Sequence, residues 1–167
     1  MSLICGIDLA GTESRPTGIC LLDTTQRFHT LYTDRDICAL VQSTAPSLVA
    51  VDAPLSYTGQ PFRDGDAHLR TEYPLLPLTF KGMQKLAQRG IQLKSHLSPL
   101  LIEVYPHASK HRLGIHAPED LRIYGFSTLP GSIHELDAAA AALTGQYYLR
   151  GKYTLYGKCD PIIVPVK

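Results

Sequence analysis

Three acidic residues stand at the ends of short apolar runs. Asp8 follows Leu3-Ile4-Cys5-Gly6-Ile7, Asp52 follows Ser47-Leu48-Val49-Ala50-Val51, and Glu103 follows Leu100-Leu101-Ile102. Runs of this kind read as strands buried on both faces. A carboxylate does not belong inside such a run unless it is paired or binds a metal. At the strand ends it falls where open α/β sheets gather their ligands. A fourth acid, Asp137, opens an alanine-rich helix and is expected to reach the same end. Acids converging there would suit a hard divalent cation such as Mg²⁺.

Other side chains have chemical readings of their own. Glu135 lies three residues after Ser132, so it fits a capping box as well as an acid cluster. Its neighbour His134 could relay a proton. Asp137 itself could be a first-turn acid favoured by the helix dipole. Thr12 to Arg15 form a polar turn just beyond Asp8, and Arg15 is expected to touch substrate. Arg63, Asp66 and Arg70 are spaced to share one helix face. With Lys81, Lys85 and Arg89 they are expected to form a basic wall for a phosphate backbone, interleaved with Tyr57, Phe62 and Tyr73 as stacking groups. His107 and His111 are four apart, but no third ligand at a recognisable spacing supports a zinc site.

These residues need elements to position them. Leu3–Leu9 and Thr17–Leu22 predict a hairpin, and about Phe28–Tyr32 a third strand. Thr33 caps a helix containing Ile37, Leu40 and Val41, which crosses over to a parallel strand at Leu48–Asp52. Residues 53–98 read as a partly helical insertion, with Thr79 capping a helix to about Leu97. Leu100–Tyr105 is the fifth strand. Short helices follow, then a long one from Ser132 to about Leu149, and a short extended end at Pro161–Pro165. The expected architecture is one α/β domain over 1–167: a mixed five-stranded sheet, three antiparallel strands and then parallel βαβ, flanked by helices.

Composition fits an ordinary globular chain. Of 167 residues, 44% are hydrophobic and 19% charged, with a formal net charge of +1. That balance neither requires nor excludes a nucleic-acid partner, because a local basic patch decides it. The four cysteines make no CxxC pair, which suggests buried reduced thiols. Met1-Ser2-Leu3-Ile4 lacks a basic start, and no apolar run approaches the ~20 residues that span a bilayer. The expectation is a cytoplasmic protein with no membrane association; a homodimer is possible on sequence grounds.

In this order the motifs resemble the ribonuclease H-like superfamily, and more narrowly an uncharacterised family of predicted nucleases with that fold. The resemblance rests on Gly6-Ile7-Asp8-Leu9-Ala10-Gly11, Arg15-Pro16-Thr17-Gly18, Val51-Asp52-Ala53-Pro54-Leu55, Phe80-Lys81-Gly82-Met83, Arg89-Gly90, Ile102-Glu103-Val104-Tyr105-Pro106 and Glu135-Leu136-Asp137 with the alanines after it. It covers nearly the whole chain. It implies a nuclease acting on DNA or RNA, with Asp8, Asp52 and Asp137 holding Mg²⁺ or Mn²⁺. Two such ions can stabilise the attacking and leaving oxygens of a phosphodiester. Glu103 is expected as a fourth ligand or water-positioning base, and Arg15, Arg63, Lys81 and Arg89 as substrate contacts. An actin-like nucleotide phosphotransferase, suggested by Asp8-Leu9-Ala10-Gly11-Thr12 with Gly18, is the alternative enzyme. A non-catalytic nucleic-acid-binding module is the alternative without turnover.

Overall fold

The computed structural model describes residues 2–167. Its elements run β1 (Ile4–Asp8), β2 (Thr17–Leu22), β3 (Gln26–Leu31), α1 (Asp34–Thr44), β4 (Leu48–Asp52), α2 (Asp64–Leu69) and α3 (Lys81–His96). They continue with β5 (Leu100–Val104), α4 (Pro106–Leu113), a 3-10 segment (Pro118–Tyr124), α5 (Ile133–Leu149), β6 (Tyr153–Tyr156) and β7 (Ile162–Pro165).

All strands join one seven-stranded sheet in the order β3-β2-β1-β4-β5-β7-β6. The antiparallel β3-β2-β1 unit and the parallel β1-β4-β5 unit are those expected from the sequence. The strand count of five is corrected to seven. The tail forms an antiparallel pair, β6 with β7, and β7 joins β5 through only two register pairs, Glu103 with Ile162 and Val104 with Ile163. Four-residue strands at a sheet margin have too little alternation to stand out in a sequence.

The sheet is covered on both faces. Ile37 and Val41 of α1 and Leu93 of α3 pack with Cys5, Ile7, Val49 and Val51 on one face. Leu113 of α4 and the alanines of α5 pack with Ile4, Leu48, Ala50 and Ile102 on the other. A smaller cluster of Leu69, Tyr73, Tyr156, Ile162 and Val164 ties α2 to the β6–β7 margin. Caps set the helix starts: Thr33 Oγ1 accepts from Asp36 N at 3.1 Å, and Ser132 Oγ accepts from Glu135 N at 3.1 Å. The long middle helix starts one residue later than expected. Phe80 rather than Thr79 is its N-cap, and it makes no side-chain cap bond.

The contact that positions everything else is α5 on β1 and β2. A Cβ on Gly6 of β1 would lie 2.1 Å from Ala138 O and 2.5 Å from Ala142 N. A Cβ on Gly18 of β2 would lie 2.1 Å from His134 O. Only glycine admits the helix backbone at this range.

Gly6→Ala is therefore expected to destabilise the protein by at least about 3 kcal/mol, the upper end for an overpacked core, because backbone atoms cannot move aside. Gly82→Ala, in α3 with open space around its would-be Cβ, is expected to be neutral or stabilising by up to about 1 kcal/mol. Urea unfolding of the two variants beside wild type checks the contrast.

Candidate active site

Strand register decides which acids meet. In the parallel β1–β4 pair, Ile4 stands beside Leu48, Gly6 beside Ala50 and Asp8 beside Asp52. Alternate residues share a face, so Asp8 and Asp52 point to the α5 side with Ile4, Leu48 and Ala50. Asp137 descends from α5 onto them, one helical turn after His134. Glu103 pairs with Val51, not with Asp52, so it projects to the opposite face. The structure brings Asp8, Asp52 and Asp137 together and turns Glu103 to the other face, where it still lines a pocket with Asp52.

The three carboxylates are crowded. Asp8 and Asp52 stand side by side at the ends of paired strands, close enough for each to shift the other. Burial pushes the Asp52 carboxyl well above its ordinary range, and the charges of Asp8, Asp137 and Glu103 add to the shift. Burial also raises Asp8, with Asp137 adding and His134 opposing. His134 Nδ1 lies 2.8 Å from Asp8 Oδ2, so a proton on Nδ1 is shared with that carboxylate. Lys110 Nζ of α4 stands 2.5 Å from Asp137 Oδ1 as an ion pair. That oxygen is buried, and Lys110 is its partner among the described residues.

An open cleft of about 270 Å³ exposes this cluster. It is lined by Asp8, His134, Asp137, Arg15 and the Leu9–Gly11 segment. Asp52 lies behind, at the wall shared with Pro54, Met83 and Leu86. Hard divalent cations take carboxylate oxygens, and the convergence of these acids at one cleft suits a cation. Among the described residues, no three His, Cys, Asp or Glu side chains already stand as a metal-holding group. Loading a cation would compete with the Lys110 contact to Asp137.

Glu103, expected as a ligand or base, is instead buried in an ion network. Arg63 Nη2 donates to Glu103 Oε1 at 2.6 Å, and Arg63 Nη1 to Oε2 at 2.9 Å. Arg63 also donates to both Asp66 oxygens and to Ser56 Oγ. Glu103 Oε2 accepts from Leu55 N at 3.0 Å, which anchors the segment leaving Asp52. Burial pushes the Glu103 carboxyl up, while Arg63 and the Leu55 N–H pull it back down.

The expected basic wall is also corrected. Arg63 and Arg89 are buried, and their donors are spent on the protein. Arg89 reaches Asp34 Oδ1, Ala10 O and Tyr32 O at 2.6–2.7 Å, clamping α3 to the turn after β1. Arg63 has no donor left for a phosphate, and each of the three Arg89 nitrogens is engaged by the protein. Arg15, Lys81 and Lys85 are exposed. Of the expected stacking groups, Tyr73 is buried and the Phe62 ring lies under Arg70. Glu135 serves the helix entry, accepting from Gly131 N at 2.7 Å and Thr30 Oγ1 at 3.1 Å. His107 and His111 pack their rings against Tyr73. Sequence reasoning missed Lys110, because no local spacing relates α4 to Asp137.

Two outcomes follow from these charges. Asp52 has a folded pKa above its unfolded one, so the stabilisation it provides is full below about pH 4 and fades as pH rises toward the folded value. Metal-free protein should lose stability across that rise, and Asp52→Asn should flatten the loss and be the more stable near pH 7; thermal melts across pH read both. Arg63→Met leaves two buried acids unpaired and should cost about 3–5 kcal/mol, whereas substitution of the exposed Arg15 by Ala should change unfolding by less than about 0.5 kcal/mol.

No protein-family model matches the chain, and no curated protein matches it in sequence. Solved structures do match. T. thermophilus RuvC in complex with a Holliday junction substrate superimposes with a TM-score of 0.60 at 16% identity, covering 90% of this chain and 96% of that one. A second Thermus thermophilus RuvC structure gives 0.57 at 17% identity, covering 89% and 96%. The similarity at this identity is one of fold: the chain has the ribonuclease H-like α/β architecture.

Proposed function

We propose that the protein is a divalent-metal-dependent nuclease that hydrolyses phosphodiester bonds in nucleic acid. The observation that carries this reading is the meeting of Asp8, Asp52 and Asp137 from three separate elements beside an open cleft lined by Asp8 and Asp137, where burial and neighbouring charge disfavour the charged forms of Asp8 and Asp52. A structural role would not call for such crowding, which costs stability. Nucleic acid as the substrate class is supported by the fold shared with a RuvC seen on a Holliday junction.

In this reading Asp8, Asp52 and Asp137 hold Mg²⁺ or Mn²⁺. When bound, such ions activate water and stabilise charge on the attacking and leaving oxygens. His134 holds a proton against Asp8 and fixes the orientation of that carboxylate. Lys110 offsets the charge of Asp137. Arg15, exposed at the cleft mouth, is placed to meet a phosphate. The cleft is open, so a polymer backbone can lie across it without threading.

Asp8→Asn and Asp137→Asn should each lower Mg²⁺- or Mn²⁺-dependent cleavage by about 100-fold or more, at unchanged far-ultraviolet circular dichroism. Labelled single strands, duplexes and four-way junctions of DNA and RNA form the substrate panel. Cleavage that persists in excess chelator, or in Asp8→Asn, would overturn the mechanism.

A further inference from the structure

The carboxylate cleft does not end at Arg15. Gly11 and Arg15 line both it and a neighbouring open groove of about 420 Å³ that runs along the start of α3. The floor of this groove is apolar, formed by Leu76, Met83 and Leu86, with Phe80 and Lys85 beside them. Phe80 is 60% exposed and Leu76 59%. Large apolar side chains this open are informative when they adjoin one another. No Asp or Glu lines the groove among the described residues, while Arg15 and Lys85 do.

We infer that this groove binds a single-stranded stretch of the nucleic acid whose backbone crosses the carboxylates, with Phe80 stacking on an unpaired base. The inference rests on the proposed nuclease reading and names its substrate class. The charge on the groove suits a phosphate backbone and repels none of it. An exposed ring finds a partner only where a base face is free. Regular duplex keeps its bases stacked inside and offers the ring sugars and phosphates. The groove opens directly into the cleft, so its occupant is continuous with the strand lying over Asp8. Tyr73 and Phe62 cannot take the stacking role, being buried or covered by Arg70.

The test is binding of a labelled oligonucleotide and of its blunt duplex to the full chain in chelator, followed by fluorescence anisotropy. Wild type should prefer the single strand. Phe80→Ala should weaken single-strand binding about tenfold and leave duplex binding unchanged, and Phe80→Trp should retain the wild-type preference. The Phe80 side chain is exposed and only its backbone bonds to Pro77 and Gln84, so an unaltered melting temperature is expected for Phe80→Ala. Unchanged single-strand binding in Phe80→Ala, equal losses on both ligands, or no single-strand binding by wild type would overturn the inference. Binding is read without turnover. Phe80-dependent binding with no cleavage under any metal would sink the nuclease reading alone, and cleavage indifferent to Phe80 would sink this inference alone.

Discussion

The structure depends on how closely one helix can approach one sheet. Gly6 and Gly18 remove the side chains that would hold α5 away from β1 and β2. The alanines from Ala138 to Ala142 do the same from the helix side, and all are fully buried. At that separation the first turns of α5 overhang the end of β1. His134 then meets Asp8, and Asp137 comes down beside Asp8 and Asp52. A helix held further out would bury the same core but leave the acids too distant to act on one another.

Buried charge is handled in two opposite ways on the two faces of this sheet. Around Arg63 both carboxylates are hydrogen-bonded and every fork position of the guanidinium is used, which makes the network a closed structural unit. It ties the insertion to β5 and holds the segment after Asp52. Around Asp8 three carboxylates crowd together, and burial favours the neutral forms of Asp8 and Asp52. Local conflict of this kind persists in folded proteins where function requires it. The contrast separates Glu103, whose charge is satisfied, from the three aspartates, whose charge is not.

Basic residues divide by chemistry as well as by place. Arg63 and Arg89 serve the interior because a planar guanidinium can satisfy several fixed acceptors at once. Arg15, Lys81 and Lys85 remain at the surface, near the cleft and the groove. The exposed basic surface near the cleft is therefore smaller than the count of basic residues suggests, and it is built from the turn after β1 and the first turns of α3.

Much was legible in the chain itself. Apolar runs ending in Asp8 and Asp52 marked two adjacent strand ends, because burial on both faces leaves no other reading for such runs. Thr33 and Ser132 marked helix starts, because a hydroxyl that accepts a backbone N–H is a local device. What stayed hidden depends on pairing between distant segments. Glu103 ends an apolar run as the aspartates do, yet register sets it beside Val51, and one residue of offset turns a strand side chain to the other face. Arg63 and Arg89 look like surface cations until the chain closes around their partners, up to 79 residues apart in the case of Arg89 and Ala10. Composition and local pattern determined which residues carry charge and which elements carry them; only the tertiary structure decided which charges meet, because that is a property of register and helix approach and not of sequence neighbours.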